Sequence, residues 1–155
     1  MLKTTLLFAL TMLAATPAAA GPAEDATSTV TSVLDKFNTG DINAFFNAHQ
    51  AGAVIVDEFA PYTWGGANSV QRWAGDYMKD SARRGISGGR VDYGKPLQAN
   101  SNGTSAYIVL PTTYRFIQNG KKMAGKGSMT FLMTRPQSDW KIAIWTYSGA
   151  TPTPE

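Results

Sequence analysis

The chain has 155 residues, one histidine, no cysteine and a formal net charge of +3 from 14 basic and 11 acidic side chains. Without cysteine there can be no disulfide framework, thiolate metal site or thiol chemistry, and a lone histidine makes no metal-binding cluster. The charge is small and forms no basic stripe, so no nucleic-acid partner is expected, and any catalysis would fall to carboxylates and hydroxyls.

Residues 1–20 read as a secretory leader. Lys3 supplies the positive start, residues 5–15 are mostly apolar, and Ala18 and Ala20 occupy the small-residue positions before a cleavage point. The apolar run is too short to span a bilayer stably. Its removal leaves about 135 residues, enough for a single domain with its own core. The expected location is periplasmic or secreted, with no membrane attachment of the mature chain.

From there helices come first. Val30, Val33, Leu34 and Phe37 fall at helical spacing and give one apolar face. Gly40 stops that helix, and Asp41 is placed to cap a short second one carrying Ile42, Phe45 and Phe46. Residues 53–56 form a brief β-branched strand ending at Asp57 and Glu58. A third helix puts Val70, Trp73, Ala74, Tyr77 and Met78 on one face and stops at Gly85. His49, near the end of the second helix, reads as a capping or solvated residue and is the one candidate for a second proton-transfer group.

The second half reads as an antiparallel meander. Residues 90–99 form a strand bent by Gly94 and Pro96, and residues 105–118 form a long one. Asn119-Gly120 is a two-residue hairpin signal, residues 121–135 return, and residues 140–147 close the sheet. Residues 150–155 have nothing to bury and read as a disordered tail. Gly120 to Lys126 imitates a phosphate-binding loop, but Gly127 stands where Ser or Thr is needed and no helix follows. The fold class is therefore α+β: helices on one face of a curved antiparallel sheet, the four long strands paired in sequence order and the short strand at one edge.

This order, the run Gly40-Asp41-Ile42-Asn43-Ala44-Phe45-Phe46 and the carboxylate closing the first strand resemble the nuclear transport factor 2-like superfamily. Within it, ketosteroid isomerases, SnoaL-like polyketide cyclases and secreted DUF4440-like proteins are the most similar. The resemblance covers residues 26–149, with the domain assigned to 21–149. It implies a cone in which three helices pack on a strongly bent sheet, the hollow end holding a small apolar ligand. Carried over residue by residue, the isomerase base falls on Asp57. The two oxyanion donors fall on Val33 and Met129, neither of which can donate a hydrogen bond. Stabilisation of a dienolate by that route is absent.

Asp57 is the candidate catalytic residue, since a carboxylate in an aromatic pocket is desolvated and becomes a better proton acceptor. The alternative is a structural role, with Asp57 or Glu58 capping a turn or pairing with Arg72, Arg90 or Arg115. Asp57 and Glu58, as strand neighbours, would point to opposite faces and not act as a pair. Strand alternation puts Leu110, Thr112, Tyr114 and Phe116 on one face, joined by Met129, Phe131 and Met133, and by Trp140, Ile144 and Thr146. The opposite register would instead turn Arg115, Trp145 and Tyr147 inward. Trp73, Tyr77, Thr112, Tyr114, Phe116, Met129 and Phe131 are the candidate ligand-binding residues. No metal or cofactor is expected. Tyr107, Val109 and Ile117 on the outer face suit a homodimer interface. The expectation is a secreted domain binding a small apolar molecule; the alternative is an isomerase, cyclase or dehydratase using Asp57 as general base.

Overall fold

Pro22 opens α1 (Pro22–Asn38) at a position where its missing N–H costs nothing, and Glu24 and Asp25 sit at the positive end of the helix. The helix buries Ala26, Val30, Val33 and Leu34. It ends in a Schellman turn: Gly40, at φ +77°, donates to the Phe37 carbonyl, and Asp41 N–H donates to that of Lys36. Asp41 then caps α2 (Ile42–Asn47) by accepting from Ala44 N–H at 3.1 Å. The computed structural model describes residues 21–155, so the leader lies outside the described residues.

β1 (His49–Val56) and the two-residue β2 (Thr63–Trp64) precede α3 (Ser69–Arg83). The Ser69 hydroxyl donates to the Ala53 carbonyl at 2.5 Å and ties the start of α3 to β1. Val70, Trp73 and Ala74 are buried as expected, but Met78 is largely exposed. β3 (Ile86–Tyr93) and β4 (Gln98–Ser101) are two pieces of what reads in sequence as one bent strand. Both pair with β5 (Ser105–Gln118), and the chain jumps between them at Gly94 and Pro96. β3 also begins earlier than its glycines suggest, because Gly88, at φ +62°, is absorbed as a bulge between Ser87 and Arg90.

β5 and β6 (Lys121–Thr134) form a hairpin whose turn residues Asn119 and Gly120 both have positive φ, +49° and +80°. β7 (Lys141–Gly149) follows, giving the order β2-β1-β7-β6-β5-β3. The long strands are antiparallel and paired in sequence order; β1 lies beside β7 and is parallel to it. The described residues thus form an α+β fold of three helices on a curved open sheet. The helices and the inner sheet face share one core, in which Ile55, Ile108, Leu110, Phe131, Met133 and Ile142 are fully buried.

Three expectations need correction. Trp140, just before β7, and Ile142 on it are buried, but pairing skips from Met133–Ile142 to Leu132–Ile144, leaving Ala143 as an extra residue. The bulge inverts the alternation, so Ile144 faces out and Trp145 is buried; Thr146 pairs with Thr130 on the outer side. The register is therefore mixed, with Tyr114 inward on β5 and Trp145 and Tyr147 inward on β7. His49 is not solvated but buried at the start of β1, and its capping role holds: its Nδ1 donates to the Phe45 carbonyl at the end of α2, at 2.8 Å. The tail is ordered: Thr153–Pro154 forms β8 against Met123 and Ala124 of β6, filling the lane that β7 vacates.

Candidate functional site

Beneath the helices lies a cavity of about 150 Å³, walled by Phe37 of α1, Phe45 of α2, Trp73 and Tyr77 of α3, and the inner sheet face. Of the candidate residues, Asp57, Trp73, Tyr77, Tyr114, Phe116 and Met129 line it. Thr112 and Phe131 do not; both are buried deeper in the core, a correction to their placement in the site. Simple alternation could not show how far down each strand the hollow extends. Trp145 and Tyr147 reach the cavity because of the Ala143 bulge, and Pro152 reaches it from the supposed tail. Trp145 and Tyr147 face inward in the alternative register that the sequence leaves open, whereas Pro152 carries no signal in local sequence. Phe37 and Phe45 do, since both sit on apolar helix faces.

Asp57 follows the last residue of β1. Its Oδ2 accepts the indole N–H of Trp73 at 2.9 Å, and its Oδ1 accepts the backbone N–H of Glu58 at 2.7 Å. Burial raises its pKa above the ordinary carboxylate value; these two hydrogen bonds oppose the rise, and the Glu58 and Asp80 charges add to it. None of the three arginines considered as partners pairs with it. Arg72 donates to the Gly65 and Ala67 carbonyls, while Arg90 and Arg115 both hold Asp92. Because β1 has already ended at Val56, the opposite-face argument does not apply to Asp57 and Glu58. Both line the cavity, with Glu58 Oε1 accepting Gly149 N–H at 2.5 Å.

The Tyr77 and Tyr114 hydroxyls lie 2.6 Å apart. In such a pair one O–H donates to the other, and the second proton is not used within the pair; Ser81 also hydrogen-bonds Tyr77. Burial raises the pKa of both, and the Asp57 charge raises them further, so both are protonated at neutral pH. Tyr147 is pushed up to about 12 by burial, then by the charges of Glu58 and Asp57. Sequence comparison with the isomerases leaves the oxyanion positions empty; a hydroxyl donor nevertheless occupies the cavity from a different helix and strand.

A glycine makes room for that donor. A Cβ on Gly89 would stand 2.3 Å from the Tyr77 hydroxyl oxygen and 2.5 Å from that of Tyr114. Gly89→Ala is expected to push the hydroxyls apart and to destabilise the fold by about 1–3 kcal/mol in urea unfolding. Adding Tyr114→Phe, which removes one obstructing oxygen, should recover part of that loss. No recovery would mean that the hydroxyl pair is not what Gly89 accommodates.

The SnoaL-like domain family's sequence profile matches residues 27–152, nearly all of the described chain. The chain belongs to the SnoaL-like family. That places it in the nuclear transport factor 2-like superfamily, in agreement with the fold. Among solved structures, this SnoaL-like domain is similar to a ketosteroid isomerase-like protein from Erwinia carotovora atroseptica, at 14% identity and TM-score 0.66, over 83% of this chain and 95% of that one. It is similar to the CaMKII hub of S. rosetta, at 16% identity and TM-score 0.67, over 85% and 99% of the two chains. It is also similar to a hexachlorocyclohexane dehydrochlorinase, at 10% identity and TM-score 0.66, over 84% of each chain. At these identities the likeness concerns the fold. No curated protein matches the chain in sequence.

Proposed function

We propose that this SnoaL-like domain binds a small, mostly apolar molecule of about one ring and that Asp57 removes a proton from it. The observation that carries this reading is a desolvated carboxylate with no cationic partner among the described residues, sharing an aromatic cavity with the Tyr77–Tyr114 hydroxyl pair. A base in this state is uncharged once it has taken the proton, so burial favours the transfer. On a carbonyl compound, the C–H electron pair moves into an enolate and the negative charge collects on oxygen. The Tyr77–Tyr114 pair donates to that oxygen, and the proton returns from Asp57 to another carbon or leaves with a β-hydroxyl as water. The first outcome is isomerisation and the second dehydration. Fold neighbours named as ketosteroid isomerase-like and as a dehydrochlorinase accord with chemistry of this kind.

Size sets the ligand class. Drug-sized ligands occupy pockets of about 300 Å³ or more. A cavity of about 150 Å³ instead suits a single ring better than a fused four-ring steroid. The test is deuterium uptake from D2O into monocyclic β,γ-unsaturated ketones, beginning with 3-cyclohexen-1-one and followed by NMR. Exchange is expected with the single ring and not with a steroid enone. Catalysed exchange confined to the steroid would overturn the assignment.

We further propose that the protein is a secreted homodimer, with residues 1–20 acting as its leader. On the outer sheet face, Val54, Ile144, Leu132 and Tyr107 form one cross-strand row, and Val56, Thr146, Thr130 and Val109 the next. Tyr107, Leu132, Ile144 and Val56 are all exposed, an apolar patch of the kind that mates with a copy of itself. Sedimentation should give twice the mass of one chain, and Leu132→Glu should return it to a single chain. A wild-type monomer at high concentration would refute the dimer.

A further inference from the structure

We propose that His49 is a positioning residue for the cavity, holding Asp57 in place through the indole rings of Trp145 and Trp73. His49 is buried, and each ring nitrogen has one partner that dictates its role. Nδ1 lies 2.8 Å from the Phe45 carbonyl oxygen, which can only accept, so Nδ1 carries the proton. Nε2 is left with a lone pair, and the indole N–H of Trp145, which can only donate, reaches it at 3.1 Å. The pair of contacts selects one neutral tautomer and fixes the Trp145 ring at its polar corner.

From Trp145 the restraint passes to the site. Its ring meets Trp73 edge-on, with centroids 5.0 Å apart and planes at 86°. Phe45, which packs on His49 at 4.8 Å, also lies 5.5 Å from Trp73. Trp73 is therefore backed by two rings that both rest on His49, and its own N–H is the side-chain donor to Asp57. His49 does not line the cavity, so it acts through these rings and never on the ligand. An apolar residue would fill the same space but would leave the buried Trp145 N–H without an acceptor.

This inference borrows its functional meaning from the reading of Asp57 as the base. Its test reads Asp57 directly and needs no turnover. The experiment is a carbon-13 NMR titration of the Asp57 carboxyl in the folded protein and its variants. His49→Leu, His49→Asn and Trp145→Phe each break the bond between residues 49 and 145. Each is expected to loosen the Trp73 contact and raise the Asp57 midpoint by about half a unit or more. The double variant His49→Leu/Trp145→Phe should shift it no further than either single change, because both act on one contact. His49→Gln, whose amide oxygen can accept the indole N–H, should stay near wild type. If His49→Leu does not fold, Trp145→Phe and His49→Asn carry the same comparison. An unmoved Asp57 midpoint in the folded variants, or shifts that add in the double variant, would overturn the proposal, and neither result depends on whether Asp57 is a base.

Discussion

Acidification from pH 6.5 to 4 is expected to remove about 3 kcal/mol of folding stability through His49 alone. Burial lowers its pKa from 6.5 to about 4, although the Phe45 carbonyl works in the other direction. Between those values the unfolded chain binds a proton that the folded one refuses. The stabilisation is complete above pH 6.5 and is lost as the pH falls toward 4. Asp57 has the opposite sign: its raised pKa means that its charge costs stability at neutral pH and that acid relieves this cost. Asp76 and Asp92, whose pKa values are lowered by hydrogen-bonding partners, lose their contributions only below the ordinary carboxylate value of 3.8. The window above pH 4 is thus left mainly to His49 and Asp57. Urea unfolding at pH 7, 5.5 and 4 should show a steep loss in wild type and a much shallower one in His49→Gln. Parallel losses in the two proteins would sink the assignment.

Asp57→Asn should slow deuterium exchange into a bound monocyclic ketone by about 10²–10⁴-fold, the usual contribution of a positioned general base. Stability at pH 7 should change by no more than about 1 kcal/mol, because two effects offset. The amide has no charge to desolvate, but its single oxygen cannot accept from both the Trp73 indole and Glu58 N–H, as the carboxylate does. Undiminished exchange in the variant would remove Asp57 from the chemistry. A loss of several kcal/mol would instead mark it as a structural carboxylate.

Much of the fold was legible in local sequence because local physics decides it. The α1 stripe of Val30, Val33 and Leu34 is buried as its spacing requires. Gly40 and Asp41 end one helix and start the next through bonds that span only a few residues. Asn119-Gly120 turns the hairpin because both residues adopt positive φ. Asp57 was singled out by resemblance to the isomerase base position, with the strand end as its local signal, and it lies on the cavity wall.

The rest required contacts that no local window contains. The extra residue Ala143 inverts the parity of β7, and only pairing with β6 places it there. That inversion brings Trp145 to His49, 96 positions away, and converts a residue that reads as solvated into a buried acceptor. Tyr77 and Tyr114 come from a helix and a strand, so neither residue's surroundings in sequence signal a shared hydroxyl pair. Pro152 reaches the cavity because β7 leaves the first residues of β6 unpaired, and β8 takes that lane. Sequence by itself determined the helices, the hairpin, the order of the long strands and the position of the carboxylate, since hydrophobic period, capping and turn geometry are short-range. Tertiary structure alone decided which faces meet around that carboxylate, because one bulge far along the chain reverses every side chain after it.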